Sequence, residues 1–122
     1  SWELPEGGGP LGVDPLESAR RELREEAGLE AADWRPILEA QLSNSVTDAR
    51  AIGYLATGLT PVDAAPDETE VIALARVPFR EALDAALAGH MKDMLTVAML
   101  LRGYHMAREG ALPGALARAM LG

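Results

Sequence analysis

The sequence predicts an α/β fold, with helices towards both ends of the chain and strands between them. Three features predict this class: a helix with clear start and stop signals near the N-terminus, strand-like runs in the middle, and a helical C-terminal third. Because 48% of the 122 residues are hydrophobic and the mean hydropathy is close to zero, the composition is that of a globular protein. No linker divides the chain, so we expect a single domain over residues 1–122.

The first predicted element is a helix over residues 15–27, which follows a loop rich in glycine and proline. Asp14 suits the N-cap, Pro15 the first helical position and Glu17 the third position of a capping box. Gly28 suits the left-handed conformation in which many helices end. The apolar face of this helix repeats at helical spacing and consists of Leu16, Ala19, Leu23 and Ala27.

Strand-like and helical runs make up most of the remaining chain. Strands are predicted at residues 34–43, 49–59 and 70–77. The last of these is the most continuous apolar run, as expected for a strand in a buried sheet. Helices are predicted at residues 78–89, 92–109 and 113–121.

The charge and composition exclude several classes of protein. Nineteen acidic residues against eleven basic ones give a net charge of −8, and the bases are scattered, so we expect no nucleic-acid binding. No apolar run approaches the roughly 20 residues that cross a bilayer, and no signal segment opens the chain. The absence of cysteine excludes disulfides and thiolate metal sites, and it is compatible with the cytoplasmic location that we predict.

Three glutamates lie close together on the first predicted helix, and two interpretations account for them. Glu22, Glu25 and Glu26 share adjoining parts of one helical face, where like charges repel. In one interpretation the face is solvated, and the ion pairs Glu17–Arg21 and Arg21–Glu25 neutralise it. In the other, these hard oxygen ligands bind Mg²⁺ or Mn²⁺ together with substrate phosphates. A glycine-rich loop before the helix and an acidic loop further along the chain favour the metal.

The segment "GGGPLGVDPLESARRELREEAGL" resembles the signature of Nudix hydrolases, G-x5-E-x7-R-E-U-x-E-E-x-G-U, in which U is a bulky apolar residue. Val13 departs from this pattern, because it stands where the family has its first glutamate. The segments "WELPEGG", "DETEVIALARVP" and "GHMKDMLTVAMLL" are similar to the ADP-ribose pyrophosphatase branch of the family. The eight matching positions of the signature are Gly7, Arg21, Glu22, Leu23, Glu25, Glu26, Gly28 and Leu29.

This resemblance implies a fold, an activity and an assembly. The fold would be a mixed β-sheet between helices, with the N-terminal strands of the family missing from this chain. The activity would be Mg²⁺-dependent hydrolysis of a nucleoside diphosphate linked to another group. ADP-ribose or a related nucleotide sugar would yield a nucleoside monophosphate and a sugar phosphate. Apolar C-terminal helices and few strands further predict that a homodimer completes the core.

The resemblance also implies a role for each matching residue. Glu68, in the loop after the signature, would be the general base, and Glu25 would join it as a second catalytic carboxylate. Ser45 and Asp48 lie where relatives have a substrate loop. Structural support would come from Gly7, Arg21 and Gly28. The metal ligands would be Glu22, Glu26, Glu25, Glu70 and the backbone carbonyl of Glu6.

Val13 leaves a second class of function open. In the family, the glutamate at this position supports the signature by pairing with its arginine, and valine cannot do so. Glu17, one turn before Arg21, is the expected substitute partner. With Glu22 and Glu26 retained, the loss of this glutamate would weaken catalysis without removing it; the alternative is a catalytically weakened Nudix-like nucleotide-binding or regulatory module.

Overall fold

The computed structural model describes residues 2–6, 13–41, 50–62 and 74–122. The chain forms two compact units. The hairpin unit comprises Pro5–Leu74, and the helical unit comprises Ser1–Leu4 together with Ala75–Gly122. Helices and an antiparallel sheet are both present, which confirms the α/β class. The single domain over residues 1–122 stays a prediction.

The hairpin unit begins with the predicted helix, which changes its geometry before it ends. Helix α1 spans Pro15–Glu22 and continues directly as a π-helical turn over Leu23–Ala27. The helical extent predicted for residues 15–27 is therefore confirmed. The tighter α-helical spacing holds only as far as Glu22.

Two long strands follow and pair with each other. Strand β1 spans Leu29–Gln41 and β2 spans Arg50–Pro61, in an antiparallel ladder. The register shifts between Pro36 and Leu38, where the proline has no N–H to donate to the ladder. Strand β1 contains residues 34–41 of the first predicted run and β2 contains residues 50–59 of the second, while residues 42, 43 and 49 lie outside the described residues. Both strands extend beyond the predicted runs at the end towards α1, because the backbone groups of each strand find hydrogen-bond partners in the other strand. Within the described residues the sheet consists of this pair alone.

The third predicted strand is not formed in the part of it that the structure describes. Residues 70–73 lie outside the described residues, and residues 74–77 have no regular secondary structure. Leu74 is 57% exposed and Val77 is 45% exposed, so this stretch is not a buried strand. An apolar run becomes a strand only where a neighbour pairs with its backbone, and no described strand lies beside this one.

The helical unit contains three helices close to the predicted bounds. Helix α2 spans Phe79–Leu87, α3 spans Met94–Arg108 and α4 spans Gly114–Leu121. Asp93 caps α3, since its carboxylate accepts hydrogen bonds from Thr96 N at 2.9 Å and Thr96 Oγ1 at 2.8 Å. None of the described helices combines the length and the apolar content that a bilayer crossing requires.

The helical unit has a well-packed apolar core. Leu83 and Leu100 are almost fully buried, at 1% and 4% exposure, and meet where α2 and α3 pack together. Gly103 is also buried here, and a Cβ atom there would make ordinary van der Waals contacts, 3.4 Å from Met120 Cε and 3.6 Å from the Phe79 ring. Partly buried side chains that pack against this core are Phe79, Ala82, Met91, Val97 and Tyr104.

Candidate functional site

The segment that carries the acidic residues is anchored at both ends. At its start, Leu16 N donates to Asp14 Oδ1 at 3.1 Å, and Pro15 takes the first helical position. At its end, Gly28 adopts the left-handed conformation with φ 63°, and its N–H donates to Arg24 O at 3.0 Å. Gly28 O in turn accepts from Val62 N at 2.9 Å, so the end of the helix is joined to the end of β2. The acidic side chains between these two points are thus held on a fixed backbone.

The π-helical turn sets the spacing of the acids. Glu22 closes α1, whereas Glu25 and Glu26 lie inside the turn over Leu23–Ala27. A π turn closes hydrogen bonds five residues apart and therefore holds more residues than an α turn. Glu22 and Glu26, four residues apart, consequently lie within one turn of each other. Single π turns inside α-helices occur frequently at functional sites.

Arg21 lies between two of the three carboxylates. Its Nη2 is 3.4 Å from Glu22 Oε1, and its Nε is 3.9 Å from Glu25 Oε1. The side chain of Glu22 is only 20% exposed, whereas that of Glu25 is 54% exposed. The guanidinium therefore offsets part of the repulsion between the acids. Glu22 is therefore largely shielded from solvent, whereas Glu25 is exposed.

The prediction that Arg21 pairs with Glu17, one helical turn earlier, is wrong. Glu17 pairs instead with Arg20, at 2.9 Å between Oε1 and Nη1. Arg21 has its partners on the other side, in Glu22 and Glu25, so Glu17 does not replace the glutamate that Val13 displaces. Val13 itself is 43% exposed, at the bend before the cap of α1.

Of the remaining predicted site residues, the structure describes Glu6. Glu6 lies in the irregular segment 2–6 and is exposed. The other predicted residues lie outside the described residues: Gly7, Ser45, Asp48, Glu68 and Glu70. The structure therefore places five of the predicted residues on one helical segment and its C-cap, namely Arg21, Glu22, Glu25, Glu26 and Gly28.

An open cleft of about 430 Å³ runs along another side of α1. Two of the arginines that line the cleft have acidic partners, because Arg20 pairs with Glu17 and Arg24 pairs with Glu30. Much of the positive charge of the cleft is therefore compensated. Both pairs are well exposed and contribute little to stability. Among the described lining residues, Arg21 is the one that also pairs with Glu22 and Glu25. Its lining residues are Glu17, Arg20, Arg21, Arg24, Glu30, Ala31 and Trp34.

The charge at the start of α1 acts on Tyr54 of β2. Partial burial of the phenol, and then the negative charge of Asp14, raise the pKa of Tyr54 above its ordinary value of 10.0. The ring of Tyr54 also meets the Trp34 ring edge-on, with centroids 5.9 Å apart and planes at 81°. These contacts orient the strand face beside the cap of α1.

Ser18 is a residue of this segment that the sequence reasoning missed. It is 7% exposed, and no described residue bonds its Oγ. It lies four residues before Glu22, on the same face of α1. That spacing from an acidic signature residue is the sequence signal that could have identified it.

The acidic side chains fit a hard divalent cation by chemical type, although the carboxylate oxygens of Glu22, Glu25 and Glu26 do not all lie within 4.8 Å of one another. These three side chains offer carboxylate oxygens, the type that Mg²⁺ and Mn²⁺ prefer. Glu22 and Glu26 lie within one turn and are partly buried, while Glu25 remains exposed. The carboxylates of Glu22 and Glu25 share the one guanidinium of Arg21, so these ion pairs leave a net negative charge.

Comparison with known proteins identifies relatives of this chain. The model of the NUDIX domain family matches residues 1–97, which include α1, the π-helical turn and both strands. The chain is 32% identical over 115 residues to the ADP-ribose pyrophosphatase of Mycobacterium tuberculosis (strain ATCC 25618 / H37Rv). That alignment covers 92% of this chain and 56% of the relative, so the chain spans about half the length of that relative.

Proposed function

Since the chain belongs to the Nudix family, we propose that the protein hydrolyses the pyrophosphate bond of a nucleoside diphosphate linked to another group. The observation that carries this proposal is the acidic segment itself, in which Glu22 and Glu25 flank Arg21 on a backbone anchored at both ends. This segment lies wholly inside the region that the family model matches.

We infer that the substrate is ADP-ribose or a related nucleotide sugar, and that the products are a nucleoside monophosphate and a sugar phosphate. The support is the relative with 32% identity, which is an ADP-ribose pyrophosphatase. Such a substrate carries two phosphate charges, and this chain has a net charge of −8. The two repel unless cations lie between them.

Mg²⁺ or Mn²⁺ bound at the acidic face would supply that positive charge and would lower the pKa of bound water. Glu22 and Glu26 are the ligands we assign to it, with Glu25, the Glu6 carbonyl and Glu70 as additional ones. Arg21 orients the carboxylates of Glu22 and Glu25. Glu68 accepts the proton of the attacking water as its oxygen bonds to phosphorus and the bridging P–O bond breaks. Ser45 and Asp48 contact the substrate in this proposal.

The test is a substrate panel with the full-length protein. ADP-ribose, other nucleotide sugars and dinucleotides are each incubated with Mg²⁺ or Mn²⁺, and the release of nucleoside monophosphate is followed. We expect turnover of a nucleotide sugar that stops when a chelator is added and returns when the ion is restored. Turnover that does not depend on a divalent ion would contradict the proposal.

A second function, a nucleotide-binding module with weakened catalysis, is favoured by one observation. Val13 offers Arg21 no charge, and Glu17 does not take its place because it pairs with Arg20. This alternative predicts that the protein binds ADP-ribose but turns over no member of the panel.

Val13→Glu separates the two functions, and the chain offers a matched control. Val13 and Val77 are 43% and 45% exposed, so the same substitution at each site costs a similar amount of packing. If the missing charge limits catalysis, Val13→Glu raises kcat whereas Val77→Glu leaves it unchanged. Equal rates in both variants would show that Val13 is not the cause of weak activity.

We propose a homodimer as the assembly, located in the cytoplasm. Among the described residues, α3 exposes two large apolar side chains two turns apart, Met94 at 83% and Leu101 at 42%. A second copy of the chain would bury them. Light scattering of the full-length protein should give twice the mass of one chain, and Met94→Lys with Leu101→Lys should reduce it. A mass of one chain at all concentrations would contradict the dimer.

A further inference from the structure

Among the described residues, Ser18 has a buried side-chain oxygen without a hydrogen-bond partner. Ser18 and Thr96 are the buried polar side chains among the described residues, at 7% and 1% exposure. Thr96 Oγ1 accepts from Leu4 N at 3.1 Å and donates to Asp93 Oδ2 at 2.8 Å. Ser18 Oγ has no partner within the described part of the chain. A buried hydroxyl without a partner is unfavourable, so its retention needs an explanation.

The position of Ser18 suggests which group it serves. Ser18 and Glu22 are four residues apart in α1, which places their Cβ atoms roughly 5–6 Å apart on one face. Side chains in a helix lean towards its N-terminus, so Glu22 leans back over the turn that contains Ser18. Glu22 is also the sheltered acid, at 20% side-chain exposure against 54% for Glu25. A buried donor and a half-buried acceptor therefore share one flank of the helix.

Glu22 has the capacity to accept this donor. Arg21 reaches Glu22 Oε1 at 3.4 Å, which is long for a charge-assisted hydrogen bond. A carboxylate has two oxygens and about four acceptor positions, so one weak donor does not orient it. A metal-binding carboxylate needs its orientation held by neighbouring donors.

We propose that Ser18 is a positioning residue, whose hydroxyl donates a hydrogen bond to the carboxylate of Glu22 when that carboxylate binds the divalent ion. The proposal rests on the proposed function, since it presumes that Glu22 is a metal ligand. The bound carboxylate would then give the Ser18 hydroxyl the acceptor that no described residue supplies. Arg21 and Ser18 then hold the carboxylate from two directions. Ser18 contacts neither substrate nor metal in this arrangement.

The test measures metal affinity in the absence of substrate, with Mg²⁺ and Mn²⁺ as the probes. Calorimetric titrations of the full-length protein compare the wild type with Ser18→Ala, which removes the hydroxyl, and Ser18→Cys, which keeps the volume with a weak donor. Thr60→Ala on β2 is the control, because it removes an exposed hydroxyl far along the chain. Thermal unfolding of each protein without metal shows whether it is folded.

We expect both Ser18 variants to bind the ions about 10- to 100-fold more weakly, as for other groups that support a metal ligand. Thr60→Ala should bind as the wild type does. Without metal, Ser18→Ala should unfold at a temperature no lower than the wild type, because it loses only an unsatisfied group. A purely structural serine would instead lower the unfolding temperature and leave the affinity of the folded protein unchanged.

Three results would overturn the proposal, and they differ from one another. If the wild type binds the ions and both Ser18 variants bind within twofold of it, the positioning role is wrong while the proposed function stands. If the wild type binds neither ion, the proposed function fails and this role fails with it. Loss of the metal-free fold in both variants would also assign Ser18 a structural role.

Discussion

The hairpin unit and the helical unit are built on different principles. All but one of the buried apolar side chains among the described residues lie in the helical unit, and Ile37 is the exception. The hairpin unit relies on a long antiparallel ladder, a capped helix and exposed ion pairs. Because exposed ion pairs contribute little to stability, substitutions of charge there should change chemistry more than folding. Substitutions of apolar residues in the helical unit should do the reverse.

The largest expected effect on folding is in the core of the helical unit. Leu83→Ala should lower the free energy of unfolding by about 2–5 kcal/mol, since Leu83 is 1% exposed and its loss leaves a cavity. Leu87→Ala on the same helix is the matched control, with 65% exposure and an expected change of less than about 0.5 kcal/mol. Urea unfolding of both variants measures the difference. Equal losses would contradict the contrast between the units.

The largest expected effect on activity is in the acidic segment. Glu22→Gln and Glu26→Gln should each reduce the rate at least tens-fold, or about 2 kcal/mol for thirtyfold, because each removes a charge assigned to the metal. The same change at Glu39, whose carboxylate pairs with Arg50 at 3.1 Å on the hairpin, should leave the rate unchanged. Steady-state kinetics with the substrate found by the panel measure both. An unaffected rate in Glu26→Gln would refute its assignment.

A smaller effect separates the two helix caps. Asp93→Ala should destabilise the protein by about 1–2 kcal/mol, because it removes the acceptor to which Thr96 N and Thr96 Oγ1 donate, and Thr96 is only 1% exposed. Asp14→Ala, at an exposed cap in the hairpin unit, should cost about 0.5–1 kcal/mol. Thermal unfolding of the two variants under one buffer measures the order. A larger loss at Asp14 would show that its unit depends on the cap more than the burial suggests.

The smallest expected effect is a loss of stability of the hairpin unit at alkaline pH. Burial and Asp14 raise the pKa of Tyr54, so the folded state holds the phenolic proton more tightly than the unfolded state does. The stability that this raised pKa of Tyr54 contributes is fully present below pH 10.0, and it is lost as the pH rises through the raised pKa. Asp14→Asn removes the second cause and should bring the pKa closer to its ordinary value. A nuclear magnetic resonance titration of labelled tyrosine checks both, and an unchanged pKa in Asp14→Asn would contradict the charge effect.

The helices were the most predictable part of the fold. Asp14, Pro15 and Gly28 mark the first helix through local backbone chemistry, and the structure has all three in the predicted roles. The helices of the C-terminal third differ from their predicted bounds by one or two residues. These signals act within a few residues of the chain, so a sequence contains them in full.

The strands were less predictable, because a strand depends on a distant partner. Residues 34–41 and 50–59 pair with each other and are extended by their mutual ladder. Leu74 and Val77, in the most apolar of the predicted runs, are exposed and outside any strand. Apolar content alone did not distinguish these cases.

The sequence by itself determined the family of this protein, the capped helix and the spacing of Arg21 and its glutamates, because these are properties of neighbouring residues. Only the tertiary structure decided that Glu17 pairs with Arg20, that a π turn contains Glu25 and Glu26, and that Ser18 is buried without a partner. Those outcomes depend on which rotamers and backbone turns the surrounding packing permits. Side-chain partners within reach of each other compete, and the folded environment selects among them.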